Sequence, residues 1–245
     1  MDNRNVIVTP HLITSLSSKL YQQKEHVLLG ISPFNSYFSE EMIGDWIQWA
    51  HTTFSSFHVF IPDTLPIYTF LALGYDEFKA KKKAKKQASY LKNKIARALL
   101  QYQLDGIDAN TLIIDMDYLE NNQAYIELKK KCYALYNENS EFQKECDQCT
   151  GWVLNGHTIK DLHLANENIA VQYILNEMPL FMDTPSILNT ASSLFSYHQI
   201  PQFINYLYNN HRKNEFVALN QGFIELTVHK RHTIPDGVLF GNELR

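Results

Sequence analysis

Apolar and polar positions along the first half of the chain follow two periods in turn. Short runs rich in β-branched and aliphatic residues, 26–30 (HVLLG), 58–61 (HVFI) and 111–116 (TLIIDM), read as strands, and each gives way to turn residues and then to helical spacing. Ser39 is a good N-cap with Glu40 and Glu41 in the first turn. Beyond it, Met42, Ile43, Trp46, Ile47, Ala50 and Phe54 fall on one helical face. A second helical window covers residues 166–178, with Ile169, Ala170, Tyr173 and Ile174 in register and Pro179 placed to help end it. Residues 222–228 form a late strand. Strand, turn and helix in succession predict an α/β fold, a Rossmann-like, mostly parallel sheet flanked by helices. No repeat, low-complexity linker or boundary interrupts the 245 residues, so a single domain over 1–245 is expected.

Open parallel sheets bind ligands beyond the carboxyl ends of their strands, and the segment GISPFNS, after the first predicted strand, falls there. Gly30 would let backbone approach a ligand, Pro33 would fix the turn, and Ser32 would stand at the rim. On these residues alone Ser32 is either a nucleophile or the cap of a turn that Asn35 closes with its side chain. The hydrolase elbow is excluded, because Phe34 stands where G-x-S-x-G requires glycine. The glycine fingerprint of a dinucleotide site and the Walker lysine are also missing. Further along, Tyr173 and Glu177 are four residues apart and share a helical face. Their reading is open between a partly buried carboxylate that needs a cationic partner and a solvated glutamate beside a core tyrosine. Tyr197-His198 is open in the same way, between site residues and a half-buried pair satisfied by backbone.

Charge adds a partner. The net charge of −4 argues against nucleic acid, but residues 79–97 hold nine basic side chains and no acid, leaving 13 basic against 26 acidic elsewhere. A solvated helix is the plain explanation of such a run, yet without acids i,i+4 pairing does not account for it, whereas neutralisation of phosphates does. The three cysteines include one lone CxxC, Cys146 to Cys149, read as structural or incidental. No metal site and a reducing cytoplasm are expected. The N-terminus carries Asp2 and lacks the apolar core of a secretory signal, and no apolar run approaches the roughly 20 residues that span a bilayer. No membrane partner is expected.

Taken in order, G-x-S-P-x-N-S-x-F-S at residues 30–39, Y-x-x-x-E-x-P at 173–179 and Tyr197-His198 resemble the cyclodipeptide synthases, and the lysine-rich segment between them is similar to that family's basic helix. Asn35, Tyr197 and His198 resemble the subfamily named for an Asn-Tyr-His signature. The resemblance implies a fold similar to the catalytic domain of class I aminoacyl-tRNA synthetases, without their use of ATP. In agreement, neither a HIGH nor a KMSKS sequence is present. It implies two aminoacyl-tRNAs as substrates, a diketopiperazine as product, no cofactor, and a ping-pong cycle through aminoacyl-Ser32 and dipeptidyl-Ser32. In that cycle Ser32 attacks, Tyr173 and Glu177 hold the substrate amine, and Tyr197 relays a proton. Gly30, Asn35 and His198 support them, and the tRNA's ribose hydroxyl assists in place of a histidine base. Leu28, Leu180 and Phe195 lie near these motifs and are expected to line an apolar pocket for a hydrophobic first amino acid. Lys79, Lys81, Lys82, Lys83, Lys85, Lys86, Lys92, Lys94 and Arg97 are expected to bind the tRNA backbone. Two other readings stay open here: a serine acyl-transferase or esterase using Ser32, and a noncatalytic tRNA-binding Rossmann module.

Overall fold

The computed structural model describes residues 6–104, 106–155, 164–209 and 216–230, so Asp2 lies outside the described residues. Among them are six strands: β1 (Val6–Leu12), β2 (His26–Gly30), β3 (Ser56–Phe60), β4 (Ile113–Ile114), β5 (Ser193–Tyr197) and β6 (Gln221–Lys230). They form one sheet in the order β1-β6-β5-β2-β3-β4, parallel throughout except for β1 against β6. Pro10 within β1 has no N–H to give, and an edge strand is where a sheet tolerates that loss. From β2 the chain steps outward to β3 and β4, then crosses back to lay β5 on the other side of β2. The carboxyl ends of β2 and β5 thus form the switch point of the sheet, the place where open α/β sheets bind ligands.

Side chains alternate across the strands and sort into two apolar layers. Val27, Leu29, Val59, Leu194 and Ile224 face one side, where they pack with residues of α1 (Ser15–Gln23), α2 (Glu40–Thr53) and α4 (Glu77–Gln101). Leu28, Phe60, Phe195 and Phe223 face the other, against α7 (Gln123–Glu138), α8 (Ser140–Asn155), α9 (Leu164–Leu188) and α10 (Gln202–Asn209). Both faces of β2 are covered and all five of its residues are buried, which is why HVLLG lacks the alternation of a half-exposed strand. The expected helix after Ser39 is α2, and Ser39 Oγ accepts from the Met42 N–H at 3.1 Å. Joining pieces are α3 (Pro66–Ala72), α5 (Ala109–Leu112) and α6 (Met116–Glu120).

Two expectations are corrected. The strand over residues 111–116 shrinks to the two residues of β4, because Asp108 and Asp115 each cap a short helix: Asp108 Oδ1 accepts from Asn110 N at 2.9 Å and Asp115 Oδ1 from Tyr118 N at 3.1 Å. Pro179 does not end its helix; α9 continues past it and leaves helical geometry at Asp183, where φ is −160° and ψ is 63°. The break belongs to Pro185, whose ring conflicts with the carbonyl of Phe181 in an unbroken helix and which offers it no N–H. Tyr208 Oη donates to that carbonyl instead, at 2.6 Å. Asp183 starts the next turn by accepting from Ser186 N at 3.1 Å, and Thr184 N finds Gln221 Oε1 at 2.8 Å.

Candidate active site

Ser32 follows β2 by two residues and Tyr197 ends β5, the neighbouring parallel strand. The switch point therefore brings Ser32 Oγ within 2.7 Å of Tyr197 Oη. The loop that carries Ser32 is fixed from several sides. Asn35 Oδ1 accepts from the Tyr37 N–H at 2.9 Å, while Asn35 Nδ2 donates to His198 Nε2 at 2.7 Å. Asn35 therefore closes an Asx-turn and ties the loop to β5 at once. An imidazole accepting at Nε2 is neutral, in keeping with burial holding His198 below its ordinary value. Behind the loop, Phe38 is 1% exposed and packs on Trp46 of α2, Tyr197 and His198, at centroid distances of 5.6, 5.9 and 5.4 Å. From α4, Lys94 Nζ donates to the Phe38 carbonyl at 2.7 Å.

Below Ser32 opens a cavity of about 290 Å³. Tyr173 and Glu177 enter it from α9, as their four-residue spacing predicts, and Phe181 continues the same face one turn on. Phe195, stacked on Phe223 at 5.8 Å and edge-on to Phe181 at 4.7 Å, makes an aromatic wall. Cys149 and Thr150 of α8 and Ile204 of α10 complete much of the apolar lining. Glu177 and Tyr173 are half-buried, and both line this cavity. Burial pushes the Glu177 carboxyl up to about 8, so below that pH it holds its proton. Burial raises the Tyr197 phenol to about 12 against the opposing hydrogen bonds of Ser32 and Asn35, and it also raises Tyr173 well above its ordinary value, helped by the nearby Glu177 charge. Both phenols keep their protons at neutral pH. The site thus presents a serine hydroxyl, two phenol O–H groups beside it, and a carboxyl poised to ionise when a cation arrives.

Of the expected pocket residues, Phe195 lines the cavity and Leu28 and Leu180 do not; both are fully buried in the apolar layer on that side of the sheet. Leu180 is three residues from Glu177, whereas the cavity face steps by four to Phe181, and Leu28 lies two residues deeper in β2 than the rim. Spacing alone would have found Phe181. Phe223, Cys149 and Phe70 reach the cavity from distant elements, and no local pattern marks them.

Gly30 also serves differently from expectation. A Cβ there would lie 2.7 Å from two atoms of the Phe195 ring and 3.1 Å from the Ser196 carbonyl oxygen, so the close approach is made by the protein's own wall. Pinned by Phe181 and Phe223, that ring has little room to yield. Gly30→Ala should cost about 1–3 kcal/mol of stability, read as a lower denaturation midpoint, with acyl transfer impaired through displacement of the Ser32–Tyr197 pair.

The basic run lies on α4 and divides in two. Alanines at 80, 84 and 88, then Leu91 and Ile95, form its buried stripe. Lys92 pairs with Asp115 at 2.6 Å, Arg97 with Glu40 at 2.8 Å, and Lys94 donates to the Phe38 carbonyl in the loop that carries Ser32, so these three have partners within the fold. The expectation that pairing cannot explain the charge is corrected at the N-terminus as well: Asp76 and Glu77, just outside the run, pair with Lys79 and Lys81. Lys83 lies over the rings of Phe70 and Tyr75. Lys82, Lys85 and Lys86 are exposed, and their ammonium groups have no hydrogen-bond or ion-pair partner among the described residues.

Comparison with known proteins agrees with this geometry. A family model described as cyclodipeptide synthase matches residues 8–227. A cyclo(L-leucyl-L-leucyl) synthase of Bacillus subtilis is 29% identical over 230 residues, covering 91% of this chain and 90% of that protein. One from Staphylococcus haemolyticus is 30% identical over 224 residues, covering 88% of this chain and 92% of that protein. Among solved structures, a cyclodipeptide synthase from Staphylococcus haemolyticus superposes with a TM-score of 0.80 at 27% identity, over 90% of this chain and 99% of its own. A Mycobacterium tuberculosis structure, described as demonstrating that cyclodipeptide synthetases are related to type I tRNA-synthetases, gives a TM-score of 0.77 at 26% identity, covering 93% and 95%. The family match takes in every motif of the site from Gly30 to His198 and the basic helix between them, and the chain belongs to the cyclodipeptide synthase family.

Proposed function

We propose that this protein condenses two aminoacyl groups, delivered as tRNA esters, into a cyclic dipeptide through covalent intermediates on Ser32. The observation that carries the reading is Ser32 Oγ, bonded to a phenol at 2.7 Å above an apolar cavity with a buried carboxyl in its wall. Ser32 attacks the ester carbonyl of the first aminoacyl-tRNA; the acyl–oxygen bond to the ribose breaks, and the ribose hydroxyl leaves carrying the serine's proton. The amine of the aminoacyl-Ser32 then attacks the second ester, releasing the second tRNA and leaving dipeptidyl-Ser32. Finally the new terminal amine attacks the Ser32 ester, the ring closes, and Tyr197 donates its phenol proton to the departing Ser32 oxygen as it takes one from the amine.

Glu177 accounts for the amine chemistry. A carboxylate with an ordinary affinity for protons cannot take one from an ammonium, whereas one raised to about 8 is matched to it. The incoming ammonium draws the carboxyl into ionisation, and the pair then shares a proton until the amine attacks. Esters are already activated, so the cycle consumes no ATP and we assign it no cofactor. Apolar walls favour hydrophobic aminoacyl groups, as in the leucyl products for which relatives are named, and they exclude water that would hydrolyse the intermediates. Among the described residues no helix is long and apolar enough to cross a membrane, and we place the enzyme's work in the cytoplasm, where charged tRNA is abundant.

Incubating the protein with pre-charged tRNA, ATP absent, should yield a diketopiperazine of apolar residues detectable by mass spectrometry and abolished by prior ribonuclease. Free amino acids alone as product, or ribonuclease-insensitive cleavage of a nitrophenyl ester, would replace this reading with an esterase. The free lysines supply the polyanion site: changing Lys82, Lys85 and Lys86 to alanine should weaken tRNA binding and reduce the slope of log K against log salt by about 0.9 for each phosphate no longer neutralised. An unaltered slope in a filter-binding titration would remove these lysines from the interface.

A further inference from the structure

Four residues other than glycine have positive φ among the described residues. Lys24, Gln103 and Asn189 follow the ends of α1, α4 and α9, where left-handed backbone is common. Phe34, at φ 62°, stands instead in the catalytic loop two residues from Ser32, and its side chain is 49% exposed. A bulky residue in this conformation with an open ring is costly to the fold, and such strain gathers at ligand clamps. Its ring meets Phe70 edge-to-face at 5.1 Å, Phe70 meets Tyr75 at 5.4 Å, and Lys83 Nζ lies 5.5 Å from the first and 5.2 Å from the second of those two centroids. Phe34 and Phe70 also line the cavity on the Ser32 side, so an aromatic rim at its mouth runs from Ser32 to the basic helix.

On the proposed reaction, the ester that reaches Ser32 is carried by the terminal ribose of a tRNA. The base on that ribose must then lie beside the serine, at the mouth and not in the cavity, and the preceding phosphates lead toward α4. We propose that Phe34, backed by Phe70 and flanked by Tyr75 and Lys83, is the stacking platform for the 3′-terminal nucleobase of the aminoacyl-tRNA. This assignment rests on the functional reading above. It divides recognition in two: the cavity takes the amino acid and the rim takes the nucleoside, whose π-face suits any exposed aromatic ring.

The test compares two first substrates, an aminoacyl-tRNA and the same ester on a tRNA whose terminal nucleotide lacks its base, by kcat/KM for acylation of Ser32 followed by intact-protein mass spectrometry. Wild type should prefer the base-bearing ester by about tenfold or more. Phe34→Ala and the bulkier Phe34→Leu should lose most of that preference, and Phe34→Trp should keep it. Equal use of both esters by wild type, or variants that slow both esters in the same proportion, would overturn the platform and leave Phe34 as a wall of the cavity. A wild-type protein acylated by neither would instead overturn the reaction itself, and the platform with it.

Discussion

Ser32→Ala is expected to lower cyclic dipeptide formation from charged tRNA by at least about a thousandfold, equivalent to ~4 kcal/mol of barrier, while leaving tRNA binding intact. The two measurements separate catalysis from recognition. On the proposed cycle Ser32 Oγ carries the acyl group in both covalent intermediates, whereas the free lysines proposed to hold phosphates lie on α4. Wild type mixed with one charged tRNA should also gain the mass of a single aminoacyl group, and the alanine variant should not. Product formed by the variant at the normal rate would leave a direct reaction between two bound esters, and Ser32 would revert to a loop residue.

Glu177→Gln should slow turnover by about 10²–10⁴-fold and should change stability in a pH-dependent way. The folded carboxyl keeps its proton up to about pH 8, while in the unfolded chain it loses it near the ordinary value of 4.5. Between those values the folded state binds more protons than the unfolded one, so wild-type stability falls as pH rises through the window and levels off above it. Glutamine carries no such proton. The variant should therefore gain on wild type toward alkaline pH by at least about 1.4 kcal/mol, the equivalent of one pH unit, since cavity water relieves part of the burial. Parallel stability curves in urea at pH 5 and pH 9 would show Glu177 to be solvated. The same substitution should be slow at every pH, because an amide cannot take the ammonium's proton.

What the chain disclosed in advance was mainly local. HVLLG could be read as β2 because a short apolar run ends at a turn, and Ser39 because a cap, two acids and a helical stripe are contiguous. The Tyr173–Glu177 pair was legible from one helical turn, and the joint motifs gave the family. Pairings made across the sheet were not legible. Nothing near Leu28 indicates that its partner on β5, Phe195, lines the cavity while Leu28 stays in the core, and nothing within the lysine run shows that Asp115 and Glu40 take up Lys92 and Arg97. Pro179 misled for a related reason: a proline lowers local helix preference, but burial of Leu175, Met178, Leu180 and Met182 on either side carries α9 through it.

The switch point has one more consequence, for the chain as it is being made. Ser32 and Tyr197 are 165 positions apart, and Glu177 is also far from the serine along the sequence. A nascent chain that has emerged only as far as Ser32 carries the proposed nucleophile without the carboxyl or the phenol of the completed site. Such a partial chain lacks both groups on which the proposed cycle depends. On that cycle the chain becomes competent only once β5 is paired with β2.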